Sequence, residues 1–199
     1  MSRFSLFFLC FFSFLISVFS FFNIIYSYYF DLLFGINKYF FTLIVSLILS
    51  FIFILKKKVD EKISIYENIT TVILGYFLLP IILSIPYYLG INNITYVDSY
   101  FESISGFTST GFSIFENIKH VDKSLILWRS TTQWIGGLYF LFSIILLISI
   151  FDNNLKKSLT NFLSFDTNET LRQNLKILIL YSILTFIIFI VLILIGLRI

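Results

Sequence analysis

Tyr96-Val97-Asp98-Ser99-Tyr100-Phe101-Glu102-Ser103-Ile104-Ser105-Gly106-Phe107-Thr108-Ser109-Thr110-Gly111-Phe112 lies between two long apolar segments and is too short and too polar to cross a bilayer. Residues 98–106 suit a short helix. At 1.5 Å per residue it spans roughly 13 Å, less than half of a hydrocarbon core about 30 Å thick. The next residues, Thr108-Ser109-Thr110-Gly111, suit extended backbone, with the glycine free to take a positive φ. A half-length helix followed by a hydroxyl-rich strand, set between two spans, is the layout of a pore loop. In such a loop backbone carbonyls replace the water around a cation.

The rest of the chain indicates the solvent. Of 199 residues 58% are apolar and 13% charged, and the mean hydropathy is +0.96. This is an integral membrane protein rather than a soluble domain. Hydrocarbon offers no hydrogen bonds, so the spans must be helices or a closed barrel. The apolar runs are unbroken and lack the alternation of barrel strands, so the expected fold is all-α. Aromatic residues, mostly Phe, make up 21%, and there is no alanine. That is the stamp of an A/T-rich coding sequence, so an abundance of Phe carries no functional signal. The single cysteine, Cys10, sits in the first apolar run; it forms no internal disulfide and makes no metal site alone. A net charge of +3 is too small to point to nucleic acid.

Five runs are expected to cross the membrane: 4–30, 39–55, 69–89, 124–151 and 177–197. The first is longer than a signal-peptide core and lacks a small-residue cleavage site, so it reads as a retained span. Pro80 and Pro86 each kink the third run, and the carbonyls they free need a neighbouring helix; Pro86 reads equally well as a turn at its end. Two basic stretches, Lys56-Lys57-Lys58-Val59-Asp60-Glu61-Lys62 and 156–176, fall on one side of a five-span chain. Short Lys/Arg-rich loops stay in the cytoplasm, which puts the N-terminus inside and the pore loop outside. The chain then divides into 1–62 (two leading helices and a cytoplasmic basic loop), 63–155 (helix, pore loop, helix) and 156–199 (a cytoplasmic linker and one further helix).

Phe101-Glu102-Ser103-Ile104-Ser105-Gly106-Phe107-Thr108-Ser109-Thr110-Gly111, followed by Leu127-Trp128-Arg129-Ser130 and Gln133-Trp134-Ile135-Gly136-Gly137, resembles the first pore repeat of the TrkH/KtrB family of bacterial potassium transporters. The shared pattern is F-E-x-x-S-G-x-T-T-T-G, a spacer, then W-R-S-x-x-Q-W-x-G-G. Ser109 stands where Thr is usual, and Tyr139-Phe140 follow the glycine pair where Met-Gly is usual. Nearly the whole chain is similar to the N-terminal part of that family, whose four repeats surround one pore; residues 171–197 look like the first helix of the second repeat.

The resemblance implies potassium transport without a cofactor, K+ being the transported ion, in the bacterial inner membrane. It also implies dimerisation and a cytoplasmic nucleotide-binding regulatory subunit. One pore loop cannot enclose an ion, so the remaining repeats must come from another polypeptide or from a homo-oligomer; a truncated or split gene product fits best. A non-conducting accessory subunit is the alternative. A membrane enzyme is disfavoured by one histidine, one cysteine and few intramembrane carboxylates.

On this reading Thr108, Ser109, Thr110 and Gly111 line the filter with backbone carbonyls. Without its flanking blocks Gly111 reads equally well as a turn glycine. The C-terminal end of the pore helix turns partial negative charge toward the ion. Asp98 or Ser99 caps its start, and Ser99-x-x-Glu102 fits a capping box, so Glu102 is a capping residue, a charge partner for Arg129 or a negative field at the mouth. Gly106 is the expected C-cap. Arg129, a turn into the fourth span, either snorkels outward beside Trp128 and Trp134 or braces the back of the pore loop. Gly136-Gly137 either loosen their helix or allow close packing. His120 reads as exposed, and the sequons at Asn68, Asn93 and Asn168 as chance matches.

Overall fold

A computed structural model of the chain describes residues 3–32, 35–55, 65–115 and 121–148, with 180, 183–188 and 191. Met1–Ser143 form one compact unit and Ile144–Ile199 a second. The helices are α1 (Arg3–Tyr29), α2 (Ile36–Leu55), α3 (Ile65–Leu83), α4 (Ile85–Gly90), α5 (Tyr96–Phe107) and α6 (Lys123–Ile148), with no strand among the described residues. Phe8–Tyr29 and Ile69–Gly90 are long and apolar enough to cross a membrane, and Ile36–Ile52 is a shorter apolar helix. The basic stretches 56–62 and 156–176 and residue 120 lie outside the described residues. The fifth expected run, 177–197, is described only at 180, 183–188 and 191, all helical.

Helices α1 and α2 bury a stripe of small polar side chains beside apolar ones and turn many large apolar groups outward. Ser13, Ser17, Ser20, Asn23 and Ser27, at spacings of three and four, are buried on α1, as are Thr42, Ser46 and Ser50 on α2. Phe14, Phe21, Phe40, Phe41, Ile48 and Phe51 are exposed. Large apolar groups gain nothing by leaving lipid, so small side chains and hydrogen bonds bring the helices together. Ser20 Oγ donates across the pair to the Tyr39 carbonyl at 2.7 Å, and Cys10 Sγ lies 3.4 Å from Ser50 Oγ. Ser17 and Thr42 instead donate back to their own helices, at 2.6 and 2.8 Å.

The third expected run breaks at Ser84. Pro80 lies inside α3, and Pro86 opens α4 rather than ending the run. Tyr87 and Tyr88 donate their amides to the Ser84 carbonyl, which leaves the Leu83 carbonyl to a neighbour. Trp128 Nε1 of α6 donates to it at 3.0 Å. The carbonyl freed by the break therefore does find a helix beside it.

Asp122 starts α6. Its Oδ1 accepts from the Ser124 amide at 3.1 Å; its Oδ2 accepts from Ser124 Oγ at 2.9 Å and from Lys38 Nζ of α2 at 3.0 Å. Burial pushes the Asp122 carboxyl up, but the hydrogen bonds from Lys38 and Ser124 outweigh it and hold the pKa below the ordinary value. A depressed carboxyl contributes stability that is complete above its unfolded pKa and is lost as pH falls through the folded one. Melting curves of the detergent-solubilised chain should show Asp122→Asn narrowing the gap to wild type as pH falls below the ordinary carboxylate range toward the depressed pKa of the folded carboxyl. A gap that does not change with pH would contradict this.

Candidate functional site

Thr95 fixes where α5 begins. Its backbone is extended (φ −78°, ψ 158°), and its side chain accepts from the Asp98 amide at 3.2 Å and donates to Asp98 Oδ2 at 2.6 Å. Capping thus falls to Thr95, not to Asp98 or Ser99, and the helix starts two residues earlier than the sequence suggests. Its 12 residues span about 18 Å, still short of a bilayer core. One face is buried: Ser99, Glu102, Ser103, Gly106 and Phe107. Ser103 Oγ donates to the Pro80 carbonyl at 2.7 Å. A Cβ on Gly106 would stand 2.5 Å from Thr132 Oγ1, and one on Gly136 would fall on the Phe107 carbonyl. Small residues on both helices let the end of α5 rest directly on α6. Of the two roles open to Gly136, the geometry selects close packing.

The helix ends in a Schellman motif. Thr110 N–H donates to Ser105 O at 3.1 Å and Ser109 N–H to Gly106 O at 3.0 Å. The left-handed residue is Ser109, at φ +56°, so Gly106 is not the C-cap; it lies inside the helix as a packing glycine. A β-branched residue is a genuine outlier at such a φ, and serine at 109, where Thr is usual, takes it more easily. Gly111 is left-handed too, at φ +82°, with nothing within 4 Å of where a Cβ would stand. Two positive-φ residues replace the single one expected, and the segment turns rather than running straight.

Thr108, Ser109, Thr110, Gly111 and Phe112 are all exposed. Among the described residues no donor reaches the carbonyls of Thr108, Ser109 or Thr110. The back of the loop is held firmly. Arg129 Nη2 donates to Gly111 O at 3.2 Å and to Phe112 O at 3.1 Å, and Ser105 Oγ donates to Phe112 O at 2.5 Å. Glu102, fully buried, accepts from the Ile114 amide and from Ser113 Oγ, each at 3.1 Å to Oε2. Arg129 Nε lies 3.1 Å from Glu102 Oε1 without hydrogen-bond geometry, so the contact is ionic rather than directional. Glu102 is therefore no capping residue; it is the charge partner of Arg129. Arg129 turns inward rather than snorkelling.

A TrkH family profile, described as a cation transport protein, matches residues 36–199, from the first residue of α2 through both sequence blocks, 101–111 and 127–137. The chain belongs to the TrkH family. An uncharacterized cation transporter of Methanocaldococcus jannaschii is 36% identical over 86 residues, 43% of this chain and 18% of that protein. The Trk system potassium uptake protein TrkI of Halomonas elongata is 38% identical over 55 residues, 28% of this chain and 11% of TrkI. The Trk system potassium uptake protein TrkG of Escherichia coli is 25% identical over 83 residues, 41% of this chain and 17% of TrkG. The matched stretches are thus a small part of each relative's length. No solved structure matches the chain significantly.

Membership in TrkH, a family of cation transport and not of catalysis, agrees with two membrane-length apolar helices in placing the chain in a membrane. Several residues that hold the segment after α5 carry little signal in the sequence. Ser105 stands three residues after Glu102, on a neighbouring helix position. Asp122 stands two residues before Ser124 at the head of an apolar run, a helix-start signature. Ser113, Thr132 and Lys38 carry none, because their partners are distant along the chain.

Proposed function

We propose that the chain forms one wall of a potassium-conducting pore in a Trk-type uptake system. It crosses the bacterial inner membrane five times, with its N-terminus in the cytoplasm, and α5 with residues 108–115 dips in and returns. The carbonyls of Thr108, Ser109 and Thr110 face the ion; the Gly111 carbonyl shares a lone pair with it beside Arg129. The observation that carries this is a run of exposed residues, Thr108 to Thr110, whose carbonyls meet no donor among the described residues. That run follows a helix too short to span, and its back is clamped by Arg129 and Glu102. Each such carbonyl left facing lipid costs several kcal/mol. The wall therefore needs partners: further repeats of the same kind, or copies of this chain. The names of the TrkI and TrkG relatives support potassium as the ion. No cofactor takes part, and a cytoplasmic nucleotide-binding subunit is the regulatory partner.

Growth of a potassium-uptake-deficient strain on low potassium tests this. The chain expressed with a polypeptide carrying the remaining repeats is expected to restore growth. Gly111→Val, forced to φ +82°, is expected to abolish it, because left-handed backbone costs a side-chain-bearing residue about 1–2 kcal/mol and relaxing it turns the carbonyls. Rescue that survives Gly111→Val, or no rescue by the wild-type pair, would overturn the reading.

A further inference from the structure

Helix α6 carries Arg129, and its first turn is held by α2. Lys38 sits at the start of α2 with its side chain only 3% exposed. Its stem packs against two glycines: a Cβ on Gly90 would come within 2.7 Å of its Cδ, and one on Gly35 within 2.9 Å of Nζ. Among the described residues its anionic partner is Asp122, at 3.0 Å. Asp122 in turn caps α6 through the Ser124 amide. The next residue of α2, Tyr39, donates from its hydroxyl to Ser124 Oγ at 2.9 Å, and its ring lies against that of Trp128, centroids 5.7 Å apart. Two consecutive residues of α2 thus grip positions 122, 124 and 128, and 128 immediately precedes Arg129. Asp122 and Arg129 are two helical turns apart, on similar faces.

An ion pair whose ammonium is buried and whose carboxylate is part-buried sets position more sharply than apolar contact does. Sliding α6 would leave a buried ammonium without its carboxylate, and that is strongly disfavoured. We propose that Lys38 is a positioning residue for the filter. By pairing with Asp122 it fixes the depth and rotation of α6, and so fixes where Arg129 meets the carbonyls of Gly111 and Phe112. The leading helix α2 is then part of the filter's support. This deepens the pore reading and takes its functional meaning from it.

Amide hydrogen exchange of the full chain in lipid nanodiscs tests the proposal, read at Ile114. That amide bonds to Glu102 Oε2 and belongs to neither α2 nor α6. Lys38→Met keeps the stem and removes the charge. Asp122→Asn keeps a capping side chain and removes the charge. Each is expected to speed exchange at Ile114 about tenfold. The double variant Lys38→Met/Asp122→Asn is expected to stay above wild type without exceeding the single variants, because the pair acts as a unit. If a single variant fails to fold, the double variant, which buries no lone charge, decides the matter. Exchange that rises only around 35–40 and 121–126, with Ile114 as in wild type, would overturn the proposal. So would effects that multiply in the double variant. Uptake by the Gly111→Val strain is a separate readout, so either idea can fail without the other.

Discussion

Arg129→Met is expected to destabilise the chain by about 3–5 kcal/mol, the cost of breaking a buried ion pair from one side. Glu102 is fully buried and Arg129 is 14% exposed, so water does little to screen the carboxylate left behind. The Ser113 hydroxyl and Ile114 amide would still reach it, but the one counter-charge in contact among the described residues would be gone. The Gly111 and Phe112 carbonyls would lose their donor as well. Arg129→Lys is expected to recover little, since one ammonium cannot reproduce a planar fork that meets two carbonyls and a carboxylate together. The informative variant is the double one. Arg129→Met/Glu102→Gln removes both charges while keeping acceptors for Ser113 and Ile114, and should be clearly more stable than Arg129→Met alone. Melting temperatures of the purified variants in detergent decide this. A double variant as damaged as the sum of the two singles would mean that the 3.1 Å contact carries no coupling.

Gly136→Ala and Gly137→Ala, one atom each on adjacent residues, should diverge in sign. A Cβ on Gly136 falls on the Phe107 carbonyl and within 2.7 Å of the Phe107 Cα. Backbone cannot swing aside as a side chain can, so α5 and α6 must separate. Overpacking costs about 1–3 kcal/mol, and this clash lies at the top of that range. The strain falls on the last helical residue before Thr108, so residues 108–112 move with it. A Cβ on Gly137 meets nothing within 4 Å, and alanine there should add about 0.5–1 kcal/mol by helix preference alone. Equal melting temperatures for the two variants would show that α5 does not rest on Gly136.

The helices were legible because lipid leaves the backbone few choices: runs of apolar residues must pair their own amides, and α1, α2, α3 with α4, and α6 follow the expected runs closely. The short α5 was legible from its length against bilayer thickness. Its ends were not. Gly106 carries the local signature of a helix terminator, but the packing against Thr132 needs a residue without a side chain at that point, and that demand appears only in three dimensions. The left-handed position fell to Ser109, which has no strong propensity for it. The roles of Glu102 and Arg129 stayed open in the sequence because burial and hydrogen-bond partners decide between capping, snorkelling and bracing. Lys38 falls between the first two expected runs, and nothing near it in the chain announces Asp122. The family match begins at Ile36, so it leaves α1 outside although the resemblance reaches nearly the whole chain.

Anomalous diffraction from thallous ions soaked into crystals of the assembled transporter tests the carbonyl wall most directly, thallous ion standing in for potassium. The expected result is a peak coordinated by the backbone oxygens of Thr108, Ser109 and Thr110, with Arg129 still bonded behind them at Gly111 and Phe112. Ions seated elsewhere, with those three carbonyls turned to lipid or to other donors, would contradict it.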